Sequence, residues 1–178
     1  MMLVEAPGTD DMEAIGRELG AELRAGDLVV LTGPLGAGKT TLTRGIGAGL
    51  GVRGPVQSPT FVLARTHPSL VGGAPLVHVD AYRLGNAALL DDLDLDFEHS
   101  VVVVEWGAGL IDDASESWLE IVIERPTGAS TATDAPAGAP PDAADAAASD
   151  ALDADEPRTL TLRGHGPRWA GTRYAASA

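Results

Sequence analysis

The chain has no cysteine among its 178 residues. That absence excludes disulfides, thiolate metal sites, iron–sulfur clusters and cysteine nucleophiles together, and it fits a reducing cytoplasm. Lysine is almost as scarce: Lys39 is the only one, and eleven of the twelve basic residues are arginine. Long apolar runs are missing too, because the longest, "LVVL" and "VVVV", are strand-sized. The N-terminal "MMLVEAPGTDD" has neither a basic n-region nor an apolar h-region, so no signal peptide and no membrane contact are expected. Positive charge is in deficit, with a formal net charge of −14 and no local basic patch. A phosphate backbone would be repelled, which argues against direct groove binding of DNA or RNA.

What is present is enough for one domain spanning 1–178, with a hydrophobic content of 44% to build a core. "DDMEAIGRELGAELRAGD" reads as an amphipathic helix carrying Ile15, Leu19 and Leu23 on one face, with Asp10 or Asp11 as N-cap and Gly26 as the stop. "DLVVLTG" is a short buried strand. "KTTLTRGIGAGLG" is a helix, with Leu42, Ile46 and Leu50 four residues apart and Gly51 as its end. "TFVLART" and "PLVHVDAYRL" read as strands, "LLDDLDLDFEH" as a short helix and loop, and "VVVVEW" as a central strand covered on both faces. "WLEIVIER" and "RTLTLRG" alternate apolar and polar residues, as antiparallel strands with one solvated face do. Between them, residues 126–157 hold seven carboxylates, no basic residue and a single leucine. So little apolar surface cannot offset ordering entropy, and the segment is expected to be a disordered insertion in a hairpin loop.

The stretch "GPLGAGKT" matches GxxxxGKT and sits between an apolar strand and a helix, the context a phosphate-binding loop requires. Glycines at 33, 36 and 38 allow the backbone to turn its N–H groups inward, and the helix N-terminus adds a positive dipole end. Lys39 would reach the β- and γ-phosphates as a point charge, and the Thr40 hydroxyl would hold a Mg²⁺. Arginine's planar fork is a poor substitute there, which explains why an arginine-rich chain keeps one lysine at this position.

A further carboxylate is needed to complete such a site. Glu105 ends the apolar strand "VVVVE", the usual place for a residue that helps hold magnesium. His78, Asp80 and Tyr82 fall at i, i+2 and i+4 in "LVHVDAYRL", so on a strand they share one face. For His78 a satisfied strand histidine is the better reading than a metal ligand, since no second histidine lies at ligand spacing, and Asp80 is the better functional candidate. Ser58 and Thr60 flank Pro59 in "QSPTF", where a hydroxyl could sense a γ-phosphate or simply form a turn.

Taken in order, "GPLGAGKTT", "SPTF", "HVDAYRL" and "VEW" resemble the bacterial ATPase family of tRNA threonylcarbamoyladenosine biosynthesis, TsaE (YjeE). The resemblance covers nearly the whole chain outside the acidic insertion. It implies an α/β P-loop NTPase fold of three layers, with a mostly parallel central sheet and antiparallel strands near the C-terminus. It implies a cytoplasmic ATPase of low intrinsic turnover, using ATP and Mg²⁺. Its partners would be the transferase that threonylcarbamoylates adenosine 37 of tRNAs reading ANN codons and the paralogue subunit of that transferase, with tRNA met only indirectly. The resemblance puts nucleotide on Gly33, Gly36, Ala37, Gly38, Lys39, Thr40 and Thr41, with Thr9 and Arg158 toward the adenine. It puts the metal on Thr40 and Glu105, and Thr60 and Asp80 near the γ-phosphate or its attacking water. Tyr82, Arg83 and Trp106 would couple the site to the partner. The chain departs from the family pattern at Pro34, in a position where an acidic residue is common, at Met12, often a threonine near the adenine, and at Ala108, frequently acidic or amide.

Two other readings use the same loop. A small-molecule kinase would need a basic lid over the phosphates, whereas the one long insertion is acidic. A nucleotide-dependent binding switch is open for adenine but not for guanine, whose NKxD motif needs a lysine the chain does not have to spare.

Overall fold

The structure, a computed structural model, describes residues 1–59, 62–83, 96–108, 115–125 and 156–176. Its element order is β1 (Met2–Ala6), α1 (Thr9–Glu22), β2 (Leu28–Thr32), α2 (Lys39–Leu50), β3 (Ala64–His67), β4 (Leu76–Asp80), β5 (Val101–Glu105), β6 (Trp118–Glu124) and β7 (Arg158–His165). Short 3-10 turns follow β4 at Ala81–Arg83 and β7 at Pro167–Trp169. This is an α/β fold on one seven-stranded mixed sheet, in the order β1-β7-β6-β2-β5-β4-β3.

The centre of the sheet is parallel. β2 pairs in parallel with both β5 and β6, and β4 pairs in parallel with β5. All five residues of β4 and of β5 are buried, as continuous apolar runs in a sheet covered on both faces should be. The antiparallel pairs lie outside: β3 on β4, β7 on β6 and β1 on β7. β6 and β7 alternate buried and half-buried residues along their length, consistent with the period-two pattern in their sequences. Their register, with Glu124 opposite Thr159, makes the segment between them a hairpin connection. An Arg125–Glu156 ion pair at 2.6 Å joins its two ends. The proposed insertion, apart from Glu156 and Pro157, lies outside the described residues, as does most of "LLDDLDLDFEH".

Both α-helices lie on one face of the sheet among the described residues. Their apolar side chains join the larger core cluster with Val29, Leu31, Val101, Val103, Ile121 and Leu160. The opposite face carries a separate cluster of Leu28, Val30, Val77, Val79, Val102 and Val104, to which neither helix contributes. The helices approach each other through glycine. A Cβ on Gly16 would lie 2.4 Å from the Leu42 carbonyl oxygen, and one on Gly20 would lie 2.3 Å from that of Ile46. Gly45 and Gly49 answer from α2, meeting the carbonyl oxygens of Glu13 and Arg17. Spacing of four keeps each pair on one helix face, so backbone packs against backbone there. This close docking fixes the start of α2, where the lysine sits, against the start of α1.

Several local expectations shift. The α1 N-cap is Gly8 rather than Asp10 or Asp11; Asp11 stands at the third helical position and its carboxylate accepts the Gly8 N–H at 3.1 Å. The helix ends at Glu22, and Gly26, with φ of 87°, serves the turn into β2 instead. The strand read in "TFVLART" begins only at Ala64, because Leu63 adopts a left-handed φ of 63°. β4 stops at Asp80, so Tyr82 sits in the 3-10 turn and leaves the face shared by His78 and Asp80. β1 was not expected from the sequence at all.

Candidate functional site

The loop from Gly33 to Gly38 runs from the end of β2 to the start of α2. Gly36 and Gly38 have φ of 70° and 93°, the left-handed values that only glycine adopts without strain. Gly33 is required for a different reason: a Cβ there would stand 2.6 Å from the Ile123 carbonyl oxygen of β6. The Ala37 N–H donates to the Pro34 carbonyl at 3.1 Å, closing a turn. The loop therefore folds tightly and delivers Lys39 and Thr40 as the first residues of α2.

Lys39 is buried. Its Nζ donates to the carbonyls of Gly33 and Pro34, both at 2.9 Å, and lies 3.7 Å from the centroid of the Trp106 ring. Burial pulls its pKa down from 10.5 to about 8, against the opposing pull of Glu105 and Asp80. The ammonium still prevails at neutral pH. Trp106 holds a left-handed φ of 64° at the turn after β5, its N–H donates to the Leu31 carbonyl, and its ring stacks obliquely on Tyr82 at 5.3 Å.

Opposite the lysine stand the ends of β4 and β5. Parallel pairing sets Asp80 directly beside Glu105, and the two-residue period puts His78 on the same face. Glu105 is buried, and its Oε1 accepts both the Thr40 hydroxyl at 3.0 Å and an imidazole bond from His78 Nε2 at 2.8 Å. Asp80 is buried as well; its Oδ1 accepts the Tyr82 N–H at 3.1 Å. Four elements thus converge at the C-terminal edge of the parallel strands, the usual position of a ligand site in such sheets.

A shallow cleft adjoins this cluster. It is lined by Gly8, Thr9 and Met12 at the start of α1, by Ala37, Gly38 and Thr41 around the start of α2, and by Glu156 and Arg158 at the start of β7. Arg158 is buried, with Nη1 2.5 Å from the Glu156 carbonyl oxygen and Nη2 3.5 Å from that of Gly36. Thr9 and Arg158, distant in sequence, therefore flank one depression beside the loop, and Met12 stands in it too.

Of the residues expected from sequence, Gly33, Gly36, Ala37, Gly38, Lys39, Thr40, Thr41, Asp80, Glu105, Trp106, Thr9 and Arg158 come together here. Tyr82 joins them at the rim, half exposed. Arg83 contributes backbone to the 3-10 turn, and Thr60 lies outside the described residues. Position 78 holds a strand histidine and not a member of a metal-ligand cluster, as the spacing suggests, but it is only half satisfied: Nε2 meets the Glu105 carboxylate and Nδ1 has no partner. Glu156, which the sequence assigns to the acidic insertion, lines the cleft and is the one member that the sequence did not offer. The signal for His78 was its placement two residues before Asp80, but its meaning depends on which strand lies next door.

Among the described residues no group of three or more His, Asp or Glu could hold a metal ion by itself. One hydroxyl and one carboxylate 3.0 Å apart suit a Mg²⁺ whose remaining ligands are phosphate and water, the normal arrangement for that ion. Among the described residues no helix is long and apolar enough to cross a membrane.

The family model described as threonylcarbamoyl adenosine biosynthesis protein TsaE matches residues 6–132. The chain is 51% identical over 162 residues to the tRNA threonylcarbamoyladenosine biosynthesis protein TsaE of Streptomyces coelicolor, covering 89% of this chain and 94% of that one. The protein of the same name in Mycobacterium tuberculosis is 51% identical over 128 residues, 67% of this chain and 76% of its own. That of Bacillus subtilis is 38% identical over 119 residues, 65% and 73%. Among solved structures, the crystal structure of Bacillus subtilis YdiB aligns with a TM-score of 0.62 at 26% identity, over 97% of this chain and 88% of that one. With glycine loop, lysine, threonine and strand-end carboxylates gathered in one place, the chain belongs to the TsaE family of tRNA threonylcarbamoyladenosine biosynthesis proteins.

Proposed function

We propose that this chain is the Mg²⁺-dependent, ATP-hydrolysing subunit of the machinery that threonylcarbamoylates adenosine 37 of tRNAs reading ANN codons. It acts on the transferase and its paralogue subunit and does not transfer the group itself. The observation that carries the reading is the meeting of Lys39, Thr40 and Glu105 at the end of a glycine loop of P-loop form.

In this reading the loop backbone and the α2 N-terminus cradle the phosphates, and Lys39 supplies charge to the β- and γ-positions. Its carbonyl contacts and the Trp106 ring hold the ammonium at the loop, so little reorganisation separates it from a phosphate oxygen. Thr40 and Glu105 hold Mg²⁺, which neutralises phosphate charge when bound. Asp80, beside Glu105 and fixed through Tyr82 N–H, faces the same region and serves the attacking water. The cleft between Thr9, Met12 and Arg158 takes the base. Tyr82 and Trp106, stacked at the rim with Tyr82 exposed, form the surface through which the transferase senses the site.

The test is steady-state ATP hydrolysis by the purified chain, alone and with the transferase and paralogue subunits of the same organism. A slow rate that rises with both partners and vanishes in Lys39→Ala supports the reading. A rate indifferent to the partners removes the link to the transferase, and ATP consumption that requires an added metabolite replaces it with a kinase.

A further inference from the structure

The His78–Glu105 contact asks for an explanation. His78 is completely buried on β4, and its Nε2 lies 2.8 Å from Glu105 Oε1. Its Nδ1 is buried without any hydrogen-bond partner. These facts fix the chemistry of the ring. An imidazolium would bury an N–H with no acceptor, whereas the neutral tautomer protonated at Nε2 leaves only a lone pair unmatched. The ring therefore donates from Nε2 to the carboxylate. A histidine kept in an all-buried strand with half its polar capacity unused is a costly choice for packing alone, since an apolar side chain of similar size would fill the space without the orphan nitrogen.

What the ring does is hold one oxygen. Oε1 of Glu105 takes both hydrogen bonds, from His78 and from Thr40, while Oε2 takes none among the described residues. The glutamate has three rotatable bonds, and the contact from β4 pins its head relative to β5 through that one oxygen. Resting on the reading that Glu105 serves a Mg²⁺–nucleotide site, we propose that His78 is a positioning residue: it orients the Glu105 carboxylate for the metal and touches neither metal nor nucleotide itself. Partners of this kind to a ligating carboxylate are worth roughly 10- to 100-fold in metal affinity.

The experiment measures binding, not turnover. A fluorescent non-hydrolysable ATP analogue is titrated into the full chain in Mg²⁺ and in EDTA, and the ratio of the two affinities reports the metal's contribution. Three variants are compared. His78→Met keeps bulk and removes the donor; His78→Gln carries an amide N–H at the same distance along the side chain as Nε2; His78→Asn carries one too short to reach Glu105. The expected result is a ratio about tenfold or more below wild type in His78→Met and His78→Asn, unchanged affinity in EDTA, and a ratio within about threefold of wild type in His78→Gln. Should the Met variant fail to fold, the Gln and Asn pair decides. A wild-type ratio in the Met or Asn variant overturns the proposal, as does a Gln variant as impaired as Asn, or a fall in EDTA affinity that leaves the ratio unchanged. If the wild-type chain itself binds no more tightly in Mg²⁺ than in EDTA, the assignment of Glu105 to a metal fails first, and the role of His78 with it.

Discussion

Replacing Lys39 with methionine should make the protein more stable while removing the ammonium on which the proposed nucleotide site depends. The ammonium is buried, and burial has moved its pKa from 10.5 to about 8. A drop of that size corresponds to about 3 kcal/mol of differential cost for the charged form. Below pH 8 both folded and unfolded chains carry the proton, so the whole cost is present. Between pH 8 and 10.5 the folded chain has released it and the unfolded chain has not, so folding becomes more favourable as pH rises. Methionine has no such cost, but it abandons the two carbonyl bonds to Gly33 and Pro34 and the charge–ring contact with Trp106. Allowing about 1–2 kcal/mol for those losses leaves a net gain of about 1–2 kcal/mol at pH 7.

For a chain of this length that gain is a rise in Tm of about 2–8 °C. The decisive feature is its pH dependence: the wild-type cost shrinks by about 2 kcal/mol between pH 7 and pH 9.5, so the advantage of Lys39→Met should disappear by the higher pH. Thermal melts and urea titrations of both proteins at the two pH values measure this directly. Groups not coupled to Lys39 cancel in the difference, and the two that are, Glu105 and Asp80, are carboxylates, a class that ordinarily titrates well below this pH range. A variant less stable than wild type at pH 7, or an advantage that does not change with pH, would refute the reasoning. A costly charge retained at the loop is what a site shaped for function over stability looks like.

Other consequences are equally accessible. Gly20→Ala should cost about 1–3 kcal/mol in urea unfolding, because its Cβ would press to 2.3 Å from the Ile46 carbonyl and the two helices must part to admit it. The same variant should leave the lysine's chemistry in place, since the clash lies more than a turn beyond it. Asp27→Ala should cost about 3 kcal/mol, because it strips the partly buried Arg168 guanidinium of a carboxylate held at 2.7 and 2.9 Å; a double variant with Arg168→Met should recover much of that loss in a denaturation cycle. For the proposed Mg²⁺-dependent ATP hydrolysis, Glu105→Gln should lower the rate about 100-fold or more at unchanged folding, and a rate close to wild type would remove this carboxylate from the site.

Much of the architecture was legible because it is written in local patterns. The four-residue apolar repeat of Leu42, Ile46 and Leu50, closed by Gly51 with φ of 67°, specified α2 from both ends. The strict alternation in "WLEIVIER" and "RTLTLRG" specified a hairpin of β6 and β7. β1 was not legible, since its five residues alternate too briefly to signal a strand, and it exists because β7 offers an edge to pair with. The start of α1 was placed late for a comparable reason: either aspartate could cap, and the choice of Gly8 with Asp11 reaching back is settled by geometry that a list of good capping residues does not contain. Nor did the sequence announce the glycine seam, because Gly16, Gly20, Gly45 and Gly49 gain meaning only when the two helices are known to touch.

The site divides along the same line. Everything on one element was readable: the loop glycines, Lys39 and Thr40 follow from a strand, a turn and a helix in succession, and Glu105 from its place at the end of an apolar run. What joins the elements was not. Local spacing put His78 and Asp80 on one face of β4, but could not say that β5 lies alongside in parallel with Asp80 opposite Glu105. That register is the step that converts a strand histidine into the partner of a buried carboxylate. A shift of one residue would have turned His78 and Asp80 to the valine-lined face and left Glu105 beside the lysine with Thr40 alone to hold it. The chemistry of the site is thus carried by two local motifs, and its geometry by one parallel strand pairing that the valines of β4 and β5 enforce from both faces of the sheet.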